Sequence, residues 1–136
     1  MKTILTLFLL SFAFTTTNTV AQESSASQVS SEEESVLVHT VYFWFTDEAD
    51  EEDSRNFYGE LKKLSSIPLI KQKFIGVPAS TEQRDVIDNS YDYSITFVFE
   101  NKEAEKAYQE HPDHLEFIDK NAHLWEKVRV YDAITP

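Results

Sequence analysis

Cysteine is absent from the 136-residue chain. That excludes a disulfide framework, a thiol nucleophile and a cysteine-ligated zinc site. Positive charge is scarce: 12 Lys and Arg stand against 24 Asp and Glu, for a formal net charge of −12. Nucleic-acid phosphate calls for clustered Lys and Arg, so no nucleic-acid partner is expected, and the acidic balance serves mainly to keep the chain soluble. Glycine (2) and proline (4) are few, so each one reads as punctuation. Histidine is sparse as well, yet two of its four copies fall within four residues, in Tyr108-Gln109-Glu110-His111-Pro112-Asp113-His114. What is plentiful is aromatic and ordinary hydrophobic content, enough for one packed domain.

The first 21 residues read as a secretory signal. Lys2 supplies the positive start, residues 4–14 a short apolar run, and Thr19-Val20-Ala21 a small-residue cleavage site ahead of Gln22. The run falls short of the roughly 20 apolar residues that cross a bilayer. The mature chain is therefore expected to be exported, periplasmic or secreted, with no membrane association after cleavage. Residues 22–35 are acidic and serine-rich with one large apolar residue, Val29. Such a segment cannot bury enough surface to offset its ordering entropy, and it is expected to be a disordered linker.

The domain is expected over residues 36–134. Residues 36–45 predict a first strand. One face carries Leu37, His39, Val41, Phe43 and Phe45, and the other Val36, Val38, Thr40, Tyr42 and Trp44. Both faces are largely apolar, which implies burial on both sides. A single layer of helices covers only one, so Val36, Val38, Tyr42 and Trp44 are expected to form a homodimer interface. Residues 47–66 predict a helix with acids at its start, Lys62 and Lys63 near its end, and a buried stripe of Phe57, Leu61 and Leu64; Ile67-Pro68 stops it. Gly59 inside that helix either permits close packing or is simply tolerated. A second strand follows over 69–77, a polar loop over 78–90 and a third strand over 91–100. Asn101 caps a second helix whose one side carries Ala104, Ala107, Tyr108 and His111. Pro112 ends it and opens a short third helix. Residues 128–134 predict the last strand. The order β-α-β-β-α-β is the ferredoxin-like α+β plan.

Chemistry concentrates at the bend. If the apolar faces of the first and third strands look toward the helices, His39, Tyr93, Tyr108, His111 and His114 converge between sheet and helices. A tyrosine and a neutral imidazole in an apolar pocket can polarise a carbonyl and take a proton. The same residues also read as hydrogen-bonded core, with His111 capping the helix after Pro112 and Trp125 as a core aromatic. His111 and His114 straddle the proline break with no third ligand at tetrahedral spacing, so no metal is expected.

Several of these features occur together in a known family. His111-Pro112-Asp113-His114 follows an Ala/Tyr helix and a strand ending Phe97-Val98-Phe99-Glu100. Val38-His39-Thr40-Val41 lies in the first strand, Ile67-Pro68 closes the first helix, Gly76 follows the second strand, and the last strand ends Val130-Tyr131-Asp132. In this order and spacing, over residues 36–134, the chain resembles the stress-responsive α/β-barrel (Dabb) family. The resemblance implies a homodimeric α/β barrel without a cofactor. It places Tyr108 and His114 where a plant polyketide cyclase of that family has its catalytic tyrosine and histidine, and His39 at that enzyme's first-strand histidine. Tyr93 replaces a further pocket histidine. His39, Tyr93, His111, Phe97 and Trp125 are then the candidate ligand-binding residues. Three readings stand open: a module binding a small apolar molecule, a cyclase- or lyase-like enzyme using His114 and Tyr108, and a structural dimer with a filled core.

Overall fold

The computed structural model describes residues 35–136. The signal expected over 1–21 and the linker expected over 22–35 lie outside them, save Ser35. The described elements are β1 (Leu37–Phe45), α1 (Glu51–Leu64), β2 (Gln72–Gly76), β3 (Tyr93–Phe99), α2 (Lys102–Gln109), α3 (Pro112–Asn121), a 3-10 turn (Ala122–Leu124) and β4 (Trp125–Ile134). The strands form one antiparallel sheet in the order β2-β3-β1-β4. This is the ferredoxin-like α+β plan that the sequence predicts.

Boundaries differ where a local hydrogen bond outweighs the hydrophobic pattern. α1 begins at Glu51 rather than Asp47 because Asp50 is its cap. The Asp50 carboxylate accepts from the backbone of Glu52 (2.7 Å) and Asp53 (2.9 Å), and the Asp53 side chain accepts in return from the Asp50 backbone (3.1 Å). That reciprocal box satisfies donors the helix start leaves orphaned. β2 is shorter than expected: after Pro68 the Ile70 N–H turns back to the Ile67 carbonyl (3.1 Å), so Leu69 and Ile70 form a turn. β4 starts at Trp125, three residues ahead of residue 128. In α2 only Tyr108 is buried, and Ala107 is exposed, contrary to the expected stripe. Eight residues make barely two turns, which gives the helix one deep anchor rather than a row.

The core lies between the sheet and α1 and α3. Phe57 is fully buried, with its ring 5.0–5.6 Å from those of Phe45, Phe43, Tyr93 and Phe117. Leu61, Leu64, Ile95, Phe97 and Phe99 complete the packing around it. Gly59 lies on the exposed side of α1, and a Cβ built on it would meet nothing within 4 Å, so no close approach explains it. On the opposite face of the sheet, Val36, Val38, Thr40, Tyr42 and Trp44 are each half-buried, and no helix among the described residues covers them. Lys127 on the neighbouring strand lays its ammonium 3.7 Å from the centre of the Trp44 ring, a cation–π contact.

Candidate functional site

The site is built from β1, β4 and the bend between α2 and α3. Alternation along β1 sends His39, Val41 and Phe43 to the helix side. α2 ends at Gln109, and His111 caps α3: its Nδ1 accepts the Asp113 N–H at 3.2 Å. Pro112 occupies the first turn of α3, where its fixed φ suits the helix and its missing N–H costs nothing. The turn leaves Tyr108 as the one buried residue of α2 and puts His114 on the buried side of α3.

Between them is a hollow of about 310 Å³. Its polar groups are His39, Tyr108 and His114, with Gln109 at the side; its walls include Val41, Phe43, Phe117, Ile118, Val128 and Trp125. The Tyr108 and His114 rings lie 4.6 Å apart, and His39 stands edge-on to Tyr108 at 6.0 Å. Such a lining, mostly apolar with a few converging polar groups, is the usual make-up of a small-molecule site.

The hydrogen bonds fix the tautomers. His114 Nδ1 lies 3.1 Å from the Gln109 carbonyl oxygen. A carbonyl oxygen only accepts, so Nδ1 carries the proton and donates, and Nε2 keeps its lone pair. His39 Nδ1 lies 2.7 Å from Asp132 Oδ1; the carboxylate also accepts, so this imidazole is held the same way round. Burial lowers the pKa of His114 below its ordinary 6.5, with neighbouring His39 and His111 acting in the same direction and the Gln109 carbonyl and Glu105 opposing. At neutral pH His114 is a neutral base. Burial raises the Tyr108 phenol well above its ordinary value, with Glu105 adding to the effect, so the phenol stays an O–H donor.

Of the other candidate site residues singled out in the sequence, Trp125 alone lines the hollow. Tyr93 is outside the hollow. In the β1–β3 register it sits opposite Phe43, four residues along β3 from Phe97, the partner of His39. There its hydroxyl donates to the Ser54 carbonyl oxygen (3.1 Å) and pairs with Ser54 Oγ (3.0 Å) on α1. Phe97 is fully buried behind Tyr108, with ring centroids 6.0 Å apart, and supports it without lining the hollow. His111 serves as the cap. Trp125 is a wall, in contact with both core and hollow. In the sequence Asp132 stands out only as part of a strand end. Its role depends on pairing with His39 across 93 residues of chain, and the one signal available was an acid on the helix-side parity of an apolar strand. Among the described residues no group of three or more His, Asp or Glu is placed to hold a metal ion.

The sequence pattern of the stress responsive A/B barrel domain matches residues 37–135. The chain belongs to that family. No curated protein matches it at the level of sequence, but solved structures do. A dimeric ferredoxin-like protein of unknown function from Thermobifida fusca is 19% identical with a TM-score of 0.62, over 76% of this chain and 93% of that one. A Dabb family protein with a ferredoxin-like fold from Mesorhizobium loti is 23% identical with a TM-score of 0.61, over 75% and 98%. The hydroxynitrile lyase of Passiflora edulis is 16% identical with a TM-score of 0.63, over 74% and 94%. At these identities the likeness is one of fold. It places this Dabb domain among proteins in which the same sheet and helices occur in dimers of unknown function and in an enzyme.

Proposed function

We propose that this Dabb protein is an exported homodimer that binds a small, largely apolar carbonyl compound in the hollow and moves a proton at the carbon beside its carbonyl. One observation carries the reading: the lone pair of His114 Nε2 and the hydroxyl of Tyr108 belong to rings 4.6 Å apart in one apolar hollow. Tyr108 would donate to the carbonyl oxygen and stabilise the enolate as charge builds there, and His114 would take the α-proton. A cyclase or a lyase can be built on that step.

The assembly half of the reading rests on the outer sheet face, where Val38, Tyr42 and Trp44 stay half-buried with no covering layer among the described residues, and on the dimeric state of similarly folded proteins. A self-complementary sheet-to-sheet interface of about 1,600 Å² or more would bury it. Export rests on the signal features of residues 1–21.

The test uses acetophenone as probe in deuterated buffer. Binding is followed by calorimetry and deuterium entry into the methyl group by mass spectrometry. Wild type is expected to bind and to accelerate exchange. His114→Ala should keep most of the binding and lose the acceleration by about 10² or more. Binding with no exchange in wild type would leave a binding module; absence of both would refute the site.

A further inference from the structure

We propose that the hollow selects a neutral carbonyl compound that also carries a hydroxyl. His39 is the residue that recognises the hydroxyl, and Asp132 is the residue that positions His39. The inference rests on the hollow being a carbonyl site, and it names the class of compound that such a site takes.

Three side chains bring hydrogen-bonding atoms to the hollow: Tyr108, His114 and His39. A carbonyl compound with an acidic C–H uses the first two and leaves His39 over. The Asp132 carboxylate, 2.7 Å from His39 Nδ1, keeps the ring proton on that nitrogen. The lone pair is then on Nε2, which accepts a hydrogen bond and has none to donate. The hold is built into the sheet, because His39 and Asp132 are register partners on β1 and β4. The two groups differ in their access to water: the His39 side chain is 5% exposed and that of Asp132 51%. Neither the Tyr108 hydroxyl nor either Nε2 has a hydrogen-bond partner among the described residues. No side-chain polar atom among those residues is both sealed from solvent and unpaired, so all three open onto the hollow. A ligand that fills the hollow without a donor therefore leaves the His39 Nε2 dry and unpaired, which is costly; a hydroxyl on the ligand removes that cost.

Charge narrows the class further. Among the described residues no Lys or Arg lines the hollow, so a carboxylate entering it would be buried without a counter-ion. No Asp or Glu lines it either, and an ammonium group meets the same penalty. The ligand that fits is neutral. Its spacing is set by Tyr108, whose ring is 4.6 Å from that of His114 and 6.0 Å from that of His39. A carbonyl held by Tyr108 thus has both imidazoles near it. The acidic C–H serves His114, and a hydroxyl elsewhere on the molecule serves His39. A hydroxyl tied up in an internal bond to the ligand's own carbonyl cannot serve.

The experiment is calorimetry at neutral pH with acetophenone, its ortho-, meta- and para-hydroxyl derivatives, the meta and para methyl ethers, and para-acetylbenzoate. At least one of the meta and para hydroxyl isomers is expected to bind wild type about tenfold tighter than acetophenone. The ethers lack a donor and the ortho hydroxyl is bonded to its own carbonyl, so neither should show the gain, and acetylbenzoate should bind weakest. The same comparison is made in His39→Phe, Asp132→Ala and Asp132→Glu, after thermal melts show each folded. The ratio of the two Kd values, hydroxyl isomer against acetophenone, is expected to fall to about twofold or less in the first two and to return in Asp132→Glu. A purely structural role would weaken all the ketones alike and leave that ratio unmoved. Ring ¹⁵N spectra of the ligand-free protein are expected to show His39 as Nδ1–H with a bare Nε2 in wild type and Asp132→Glu, and to lose that form in Asp132→Ala. Wild type that binds acetophenone as tightly as every hydroxyl isomer would overturn the proposal. So would a gain that survives Asp132→Ala and every folded variant of His39, or a wild-type His39 with its proton on Nε2. If none of the ketones binds, the carbonyl reading of the hollow falls and this inference falls with it.

Discussion

His114 is held neutral by its surroundings, and this has a cost that pH can expose. Its folded pKa lies below the ordinary 6.5, so between the folded and unfolded values the unfolded chain binds more protons. Stability therefore rises with pH through that window, is complete above about 6.5, and is lost as pH falls. His114→Gln should flatten this slope, as read by urea denaturation between pH 7.5 and 5; an unchanged slope would place the linkage on another group. Gly59 offers a second test at this scale. With open space around it in an exposed helix interior, Gly59→Ala should stabilise the domain by about 0.5–1 kcal/mol, seen as a higher denaturation midpoint. Residue by residue, the site was legible where chemistry and local spacing coincide: Tyr108 and His114 are tied by a helix, a proline and another helix, and His39 by strand parity. Tyr93 was misplaced because parity reports which face a side chain takes and says nothing of how far along the strand its neighbours lie. Asp132 went unassigned for a related reason, since only the β1–β4 pairing brings it to His39.

The bend between α2 and α3 is the element on which the hollow depends. His111 satisfies a donor at the start of α3, a duty usually met by Ser, Thr, Asp or Asn. His111→Ala should cost about 1 kcal/mol in chemical denaturation, with His111→Asn recovering most of it. The same variant should broaden or shift the His114 ring signals in NMR, because the cap and the base are three residues apart on one helix start. No shift at His114 would show that Pro112 alone sets the bend. The elements themselves were readable from apolar periodicity, and their order gave the ferredoxin-like plan. Their ends were less readable, because ends are decided by hydrogen bonds. Asp50 was one acid among many at the start of α1 until the backbone showed which of them caps it. The last strand also extends back to Trp125, where Phe45 and Trp125 pair beyond a register shift at Trp44/Phe45.

At the scale of the molecule, the sheet face that the described residues leave open and the proposed signal over residues 1–21 carry the remaining predictions. Trp44→Asp should dissociate or unfold the proposed dimer, because an unpaired charge in a buried interface is costly. Sedimentation of wild type at micromolar concentration should show a dimer, and a stable monomer would refute the assembly. Intact-mass measurement on the protein from its native source should find a chain starting at or near Gln22; a soluble species retaining residues 1–21 would count against export. The two faces of the sheet also divide the chain's two tryptophans between them. Trp44 stands on the uncovered side beneath the Lys127 ammonium, whereas Trp125 is a wall of the hollow. The protein thus carries one optical reporter for assembly and a separate one for ligand binding. In Trp44→Phe, emission should respond to a ligand and be blind to dilution. In Trp125→Phe it should respond to dilution and be blind to a ligand, so association and occupancy can be followed apart without any attached dye.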